Sequence, residues 1–138
     1  MAINTKTQAV EATASTSISI PKMQFGKGVS DSDRKFFTEQ MALLLETGTP
    51  LQQSLQALRK QLDNPAMIEL VDQLIEDIGQ GLQFSVALSK HPTVFSSTYT
   101  NLVAASEEGG FMHEVLQQLL ALDEKREELK KTMVSALS

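Results

Sequence analysis

Glu107 and Glu108 stand directly before a Gly109-Gly110 pair, and His113 follows three residues later. A carboxylate beside an imidazole can transfer a proton or bind a metal ion. Adjacent residues on a helix point about 100° apart, so one of the two glutamates, taken as Glu107, faces inward. The chemistry available to it has three forms. Two catalytic carboxyls would flank a cleft with one pKa raised. A hard-oxygen site for calcium would draw on the carboxylates and the carbonyls of the corner. A structural carboxylate would accept hydrogen bonds from the free N–H groups that open the next helix, where the dipole also favours an anion.

Composition narrows the choice. A metal centre needs three or four converging ligands. Besides Glu107, Glu108 and His113 the chain offers one further histidine, His91, which precedes Pro92 in a loop, and no cysteine at all. A thiolate zinc site, a cysteine nucleophile and a disulfide framework are thereby excluded. Bundle di-metal centres use Glu-x-x-His on paired helices, and that motif is missing. The calcium loop of an EF-hand is missing too. No glycine follows a strand signal, so nothing reads as a phosphate cradle. Net charge is -5 with 12 basic and 17 acidic side chains, one Tyr and no Trp. A nucleic-acid footprint would need a clustered basic face or stacking aromatics. The expectation is no enzyme, no cofactor and no bound metal.

The elements that position this corner are helical throughout. Ser30 and Asp33 form a capping box that opens a first helix, with Phe37, Met41 and Leu44 at i, i+4, i+7. Gly48 stops it, and Thr49-Pro50 with Gln52 restarts a second as N-cap, N1 and box partner, seamed by Leu51, Leu55, Leu58 and Leu62. Asn64-Pro65 opens a third, seamed by Ile68, Val71, Leu74, Ile75 and Ile78 and ended by Gly79 and Gly81. A short fourth covers Phe84–Lys90 and closes at His91-Pro92. Ser96 or Ser97 caps a fifth, which ends at Gly109-Gly110. The last runs from Phe111 to Leu137 with an apolar stripe of Val115, Leu116, Leu119, Leu122, Leu129, Met133 and Leu137, while Asp123–Lys131 reads as a solvated stretch. No alternating strand pattern or hairpin signal is present. The fold class expected is all-α, a six-helix bundle of antiparallel helices with a long final helix. Residues 1–29 have no helical period and read as a flexible tail, in which Ile18–Phe25 is the stretch able to dock elsewhere. No run reaches the roughly 20 apolar residues of a membrane span.

Three motifs in order carry a resemblance. Phe37-Thr38-Glu39-Gln40-Met41-Ala42-Leu43-Leu44-Leu45 leads to Gly48 and Pro50-Leu51. Gly81 with Ser85, Ala87, Leu88, Pro92 and Phe95 forms the second. Ser106-Glu107-x-Gly109-Gly110-x-Met112 forms the third. Together, over residues 34–137, they resemble the F domain of the inner-membrane platform proteins of type II secretion and type IV pilus machines. Ser106 stands where that family usually has Gly, Gly109 where Ser is common and Met112 where Leu is common. The resemblance implies a non-enzymatic six-helix domain at the cytoplasmic face of the bacterial inner membrane, often a homodimer. Its partners would be an assembly ATPase, other inner-membrane assembly proteins, and pilin or pseudopilin. It also implies a sixth helix leading towards a transmembrane segment beyond residue 138. The site residues expected are architectural: Gly48, Pro50, Gly81, Pro92, Glu107, Gly109 and Gly110. A stand-alone helical adaptor for a soluble partner is the rival reading.

Overall fold

A computed structural model describes residues 28–138. They form six helices: α1 Asp31–Glu46, α2 Leu51–Arg59, α3 Pro65–Gly79, α4 Phe84–Ser89, α5 Ser97–Gly109 and α6 Met112–Leu137. No strand occurs among the described residues. The all-α expectation, six helices with a long last one, holds. The expected tail and its Ile18–Phe25 stretch lie outside the described residues, apart from Gly28 and Val29. Those two are tied down. The Gly28 carbonyl accepts from Asn64 Nδ2 at 2.7 Å, and Val29 packs against the core.

Helix starts follow their sequence signals where a short polar side chain reaches back. Asp33 N–H donates to Ser30 Oγ at 3.1 Å and Ser30 N–H to Asp33 Oδ2 at 3.0 Å, completing the capping box of α1. Asn64 Oδ1 accepts from Ala66 N–H at 3.0 Å and Ser96 Oγ from Tyr99 N–H at 3.2 Å. The start of α2 departs from expectation. Pro50, not Thr49, is its N-cap, and no side chain caps it. Thr49 turns its hydroxyl to Thr47 at 3.0 Å, and Gln52 Nε2 donates to the Ile75 carbonyl of α3 at 3.4 Å. A proline has no N–H to be capped, and Gln52 finds a carbonyl partner on the helix across from it.

Neighbours in sequence pack on each other, α2 on α3 and α4 on α5, and α6 closes the bundle by lying along α1. The two run antiparallel: Asp31 faces Lys130, and Lys35 faces Glu127. The core draws Phe37 and Met41 from α1, Leu55 and Leu58 from α2, Leu70, Val71 and Leu74 from α3, and Leu88 and Val103 from α4 and α5. Val115, Leu116 and Leu119 of α6 complete it. Phe95, in the loop before α5, sits between Phe37 and Tyr99 with ring centroids at 5.3 and 5.0 Å. The apolar stripe expected along all of α6 divides. Its first three members are buried, whereas Leu122, Leu129, Met133 and Leu137 face solvent.

Candidate functional site

The Ser106–Met112 corner is built by one left-handed residue. Gly110 has φ +75°, and its N–H and that of Phe111 both donate to the Ser106 carbonyl, at 2.8 and 3.3 Å. A side chain at Gly110 would meet the penalty L-residues carry in that region. The Phe111 ring folds back over Gly109 and occupies the space a Cβ would take there. Ser106 is fully buried and spends its hydroxyl on the Val103 carbonyl at 2.7 Å.

Glu107 does face inward, but its target differs from the expected one. Its two carboxylate oxygens accept from Ser85, Oε1 from the hydroxyl at 2.5 Å and Oε2 from the backbone N–H at 3.1 Å. Ser85 lies in the first turn of α4, so Glu107 holds the start of an earlier helix, not of α6. The reason is placement. Glu107 is on the flank of α5 that packs against α4, while α6 begins beyond the Gly110 turn with Phe111 as an uncapped N-cap. The Ser85 hydroxyl and N–H form a two-pronged donor that the carboxylate matches. Glu107→Ala is expected to cost about 2 kcal/mol, the worth of hydrogen bonds to a charged acceptor. Glu107→Gln, which keeps one acceptor oxygen, should cost under half of that. Urea unfolding of the two variants checks this, and equal losses would count against the charged contact.

The other candidates do not converge. Glu108 is exposed, and His113 Nδ1 lies 3.3 Å from Glu114 at the surface. Among the described residues no group of three His, Cys, Asp or Glu side chains could hold a metal ion. Gly48 and Gly81 sit at the α1–α2 and α3–α4 corners with φ +87° and +97°, and exposed Pro92 opens the loop to α5.

His91, in the loop before Pro92 as expected, is only 7% exposed. Its carbonyl accepts from Val94 and Phe95 N–H at 3.1 and 2.9 Å, fixing the turn that delivers Phe95 to the core. Burial holds its imidazole below the ordinary 6.5, and Lys90 adds to this while Asp77 opposes it. A depressed histidine pKa favours the neutral form in the folded state. Its contribution to stability is therefore full above about pH 6.5 and lost as pH falls through the folded value. Unfolding free energy should drop from about pH 7 to about pH 5 more steeply in the native chain than in His91→Gln. Parallel urea curves would refute it.

The polar contacts with the longest reach in sequence join α1 to α6. Arg34 donates through Nη2 to Asp123 Oδ1 at 2.7 Å and through Nε to Oδ2 at 3.4 Å. Asp123, read from the sequence as solvated, is 8% exposed. It stands four residues after Leu119 and seven after Leu116, so it occupies a core position of α6. Arg34 stands three before Phe37 and seven before Met41, a core position of α1. Opposite charges at apolar register on two helices were the signal for this pair. Nearby, Thr38 donates to the Arg34 carbonyl at 3.0 Å and therefore accepts from Tyr99 Oη at 2.7 Å. Burial pushes the Tyr99 hydroxyl well above its usual pKa, which keeps it a donor.

Glu107 with Ser85, Arg34 with Asp123 and Thr38 with Tyr99 each join two elements of the bundle. Comparison with known proteins agrees with a structural domain. The family described as "Type II secretion system (T2SS), protein F" matches residues 37–138. The type IV pilus assembly protein PilC of Myxococcus xanthus is 40% identical over 111 residues, covering 80% of this chain and 27% of that protein. PilC of Thermus thermophilus is 36% identical over 121 residues, 88% of this chain and 29% of the relative. Type II secretion system protein F of Vibrio cholerae is 28% identical over 113 residues, with 82% and 28% covered. The chain thus spans under a third of the length of these relatives. No described helix is long and apolar enough to cross a membrane. With the match running unbroken from the Phe37 motif through the Glu107 corner to the end of α6, the chain belongs to the type II secretion system protein F family, which it shares with the PilC pilus assembly proteins.

Proposed function

We propose that this chain is a non-enzymatic platform module at the cytoplasmic face of a bacterial inner membrane. It links a cytoplasmic assembly ATPase and neighbouring inner-membrane assembly proteins to the extrusion of pilin or pseudopilin, and it works as a homodimer. The observation that carries this reading is the family match over residues 37–138, which takes in all three motif corners. The geometry supports it: charged and hydroxyl side chains at the corners and between α1 and α6 fasten helices to one another. Identity is 40% and 36% to two pilus assembly proteins and 28% to a secretion protein, which makes pilus assembly the first assay.

Deleting residues 30–138 from the protein in its host should abolish filament assembly or secretion, and restoring them should rescue it. Substrate turnover by the isolated chain that disappears in Glu107→Ala would overturn the reading. So would wild-type filament assembly and secretion in the deletion strain.

A further inference from the structure

Asp123 is the last buried residue of α6, and residues 124–138 are all exposed. A ladder of charge on α1 fastens that exposed half to the bundle. Arg34 meets Asp123 at 2.7 Å, Lys35 meets Glu127 at 2.9 Å, and Asp31 lies 4.0 Å from Lys130. The rungs become wetter outward. Arg34 and Asp123 are 13% and 8% exposed, Lys35 and Glu127 31% and 47%, Asp31 and Lys130 67% and 75%. Leu129 and Met133 reach the groove wall beside Ser30 and Ser32 but stay more than half exposed. Beyond Lys130, side-chain hydrogen bonds among the described residues stay within α6.

Little else keeps this half in place. A free helix of about 15 residues is marginal in water. Charges within the stretch nearly cancel. Like pairs at i, i+4 (Asp123–Glu127, Glu124–Glu128, Arg126–Lys130) oppose unlike pairs at i, i+3 (Lys125–Glu128, Glu127–Lys130, Glu128–Lys131). We propose that the two outer rungs are a latch on the distal half of α6. Closed, they hold it helical and set against the first turns of α1. Open, the half from Glu124 onward frays and loses its direction, while the Arg34–Asp123 pair keeps the proximal half in the bundle. Each exposed ion pair is worth roughly 1.4- to 5-fold, so the latch sits where a modest competitor shifts it. A charged surface that takes Lys35 or Glu127 for itself opens it, and high salt does the same. Through two exposed ion pairs, α1 thereby governs the order of the end of α6.

The test is amide hydrogen exchange of the 138-residue chain, read residue by residue by NMR. Amides of Leu70–Leu74 in α3 and Leu116–Leu119 in α6 serve as internal references. In Lys35→Glu a repulsion from Glu127 replaces the attraction, and the amides of residues 127–134 should exchange on the order of fivefold faster. The change is on α1 and the readout on α6, so altered helix propensity at the substituted position does not account for it. Adding Glu127→Lys restores an opposite pair and should return those amides to within about twofold of native. Salt raised from 0.1 M to 1 M, where the screening length falls to about 3 Å, should speed them in the native chain and slow them in Lys35→Glu. The signs differ because salt screens an attraction in one and a repulsion in the other. Unchanged exchange at residues 127–134 in Lys35→Glu overturns the proposal. So does a failure of Glu127→Lys to restore it. Acceleration that reaches the reference amides equally also overturns it, because the ladder would then be part of global stability. The latch stands on the α1–α6 contacts alone, so these results leave the platform reading to its deletion assay.

Discussion

Replacing Asp123 with alanine is expected to cost about 3 kcal/mol and to loosen α6 from α1. The loss comes less from the attraction removed than from what is left behind. Arg34, whose side chain is 13% exposed, would keep its guanidinium near the Val94 carbonyl with only the exposed carboxylate of Asp31 left to face. Removing one partner of a buried pair is destabilising by 3–5 kcal/mol for this reason, and the slight exposure here places the effect at the low end. The exposed Asp31 contact at 3.3 Å offsets little of it. Arg34→Met combined with Asp123→Leu removes both charges and should recover most of the loss, since apolar replacement of a buried pair is often neutral. Urea unfolding of the single and double variants decides it. A double variant as unstable as Asp123→Ala would show that the pair itself, not the orphaned charge, sets the cost.

Phe95→Ala is expected to cost about 4 kcal/mol, within the range for emptying a buried phenylalanine site. Phe95 is 1% exposed and contacts the rings of Phe37 and Tyr99, so its loss removes two aromatic contacts as well as buried area. A domain of this size holds roughly 5–15 kcal/mol in total, so the variant would retain a small margin at most. The effect should extend beyond the cavity. Tyr99 would lose the ring that positions it, and with it the hydroxyl bond to Thr38. Phe95→Leu should cost under half as much. Denaturant midpoints that fall in the order native, leucine, alanine, at unchanged slope, are the expected result; an alanine variant within about 1 kcal/mol of native would contradict it.

Helix identity was legible because its signals are local. The Ser30–Asp33 box, Asn64-Pro65 and the glycine stops each act within four residues, and each appears where its pattern placed it. Gln52 shows where locality fails. Its pattern matched a capping box, yet a carbonyl on α3 was the better partner, and only packing reveals that. Glu107 is similar. The sequence singled out the right residue at the right corner, but chose the helix next in the chain over the one next in space. Ser85 appeared in the motif and could not be paired with Glu107 from spacing alone, since 22 residues separate them. Arg34 and Asp123 were missed for a different reason. Asp123 was read as part of a solvated stretch and Arg34 was not singled out, although their register with Leu119 and with Phe37 places them inward.

The closure of α1 against α6 has a consequence for the timing of biogenesis. Arg34 and Asp123 are 89 residues apart. At a synthesis rate of about 5–20 residues per second, the buried face of α1 waits roughly 4–18 s after emerging before its partner is made. The hairpins α2–α3 and α4–α5 can form in that interval, because their contacts are near in sequence. The first of the described helices is thus among the last to complete its packing. Until then the apolar face of α1 around Phe37 and Met41 is covered only by α2 and Phe95, which makes this segment the natural place for a chaperone to hold.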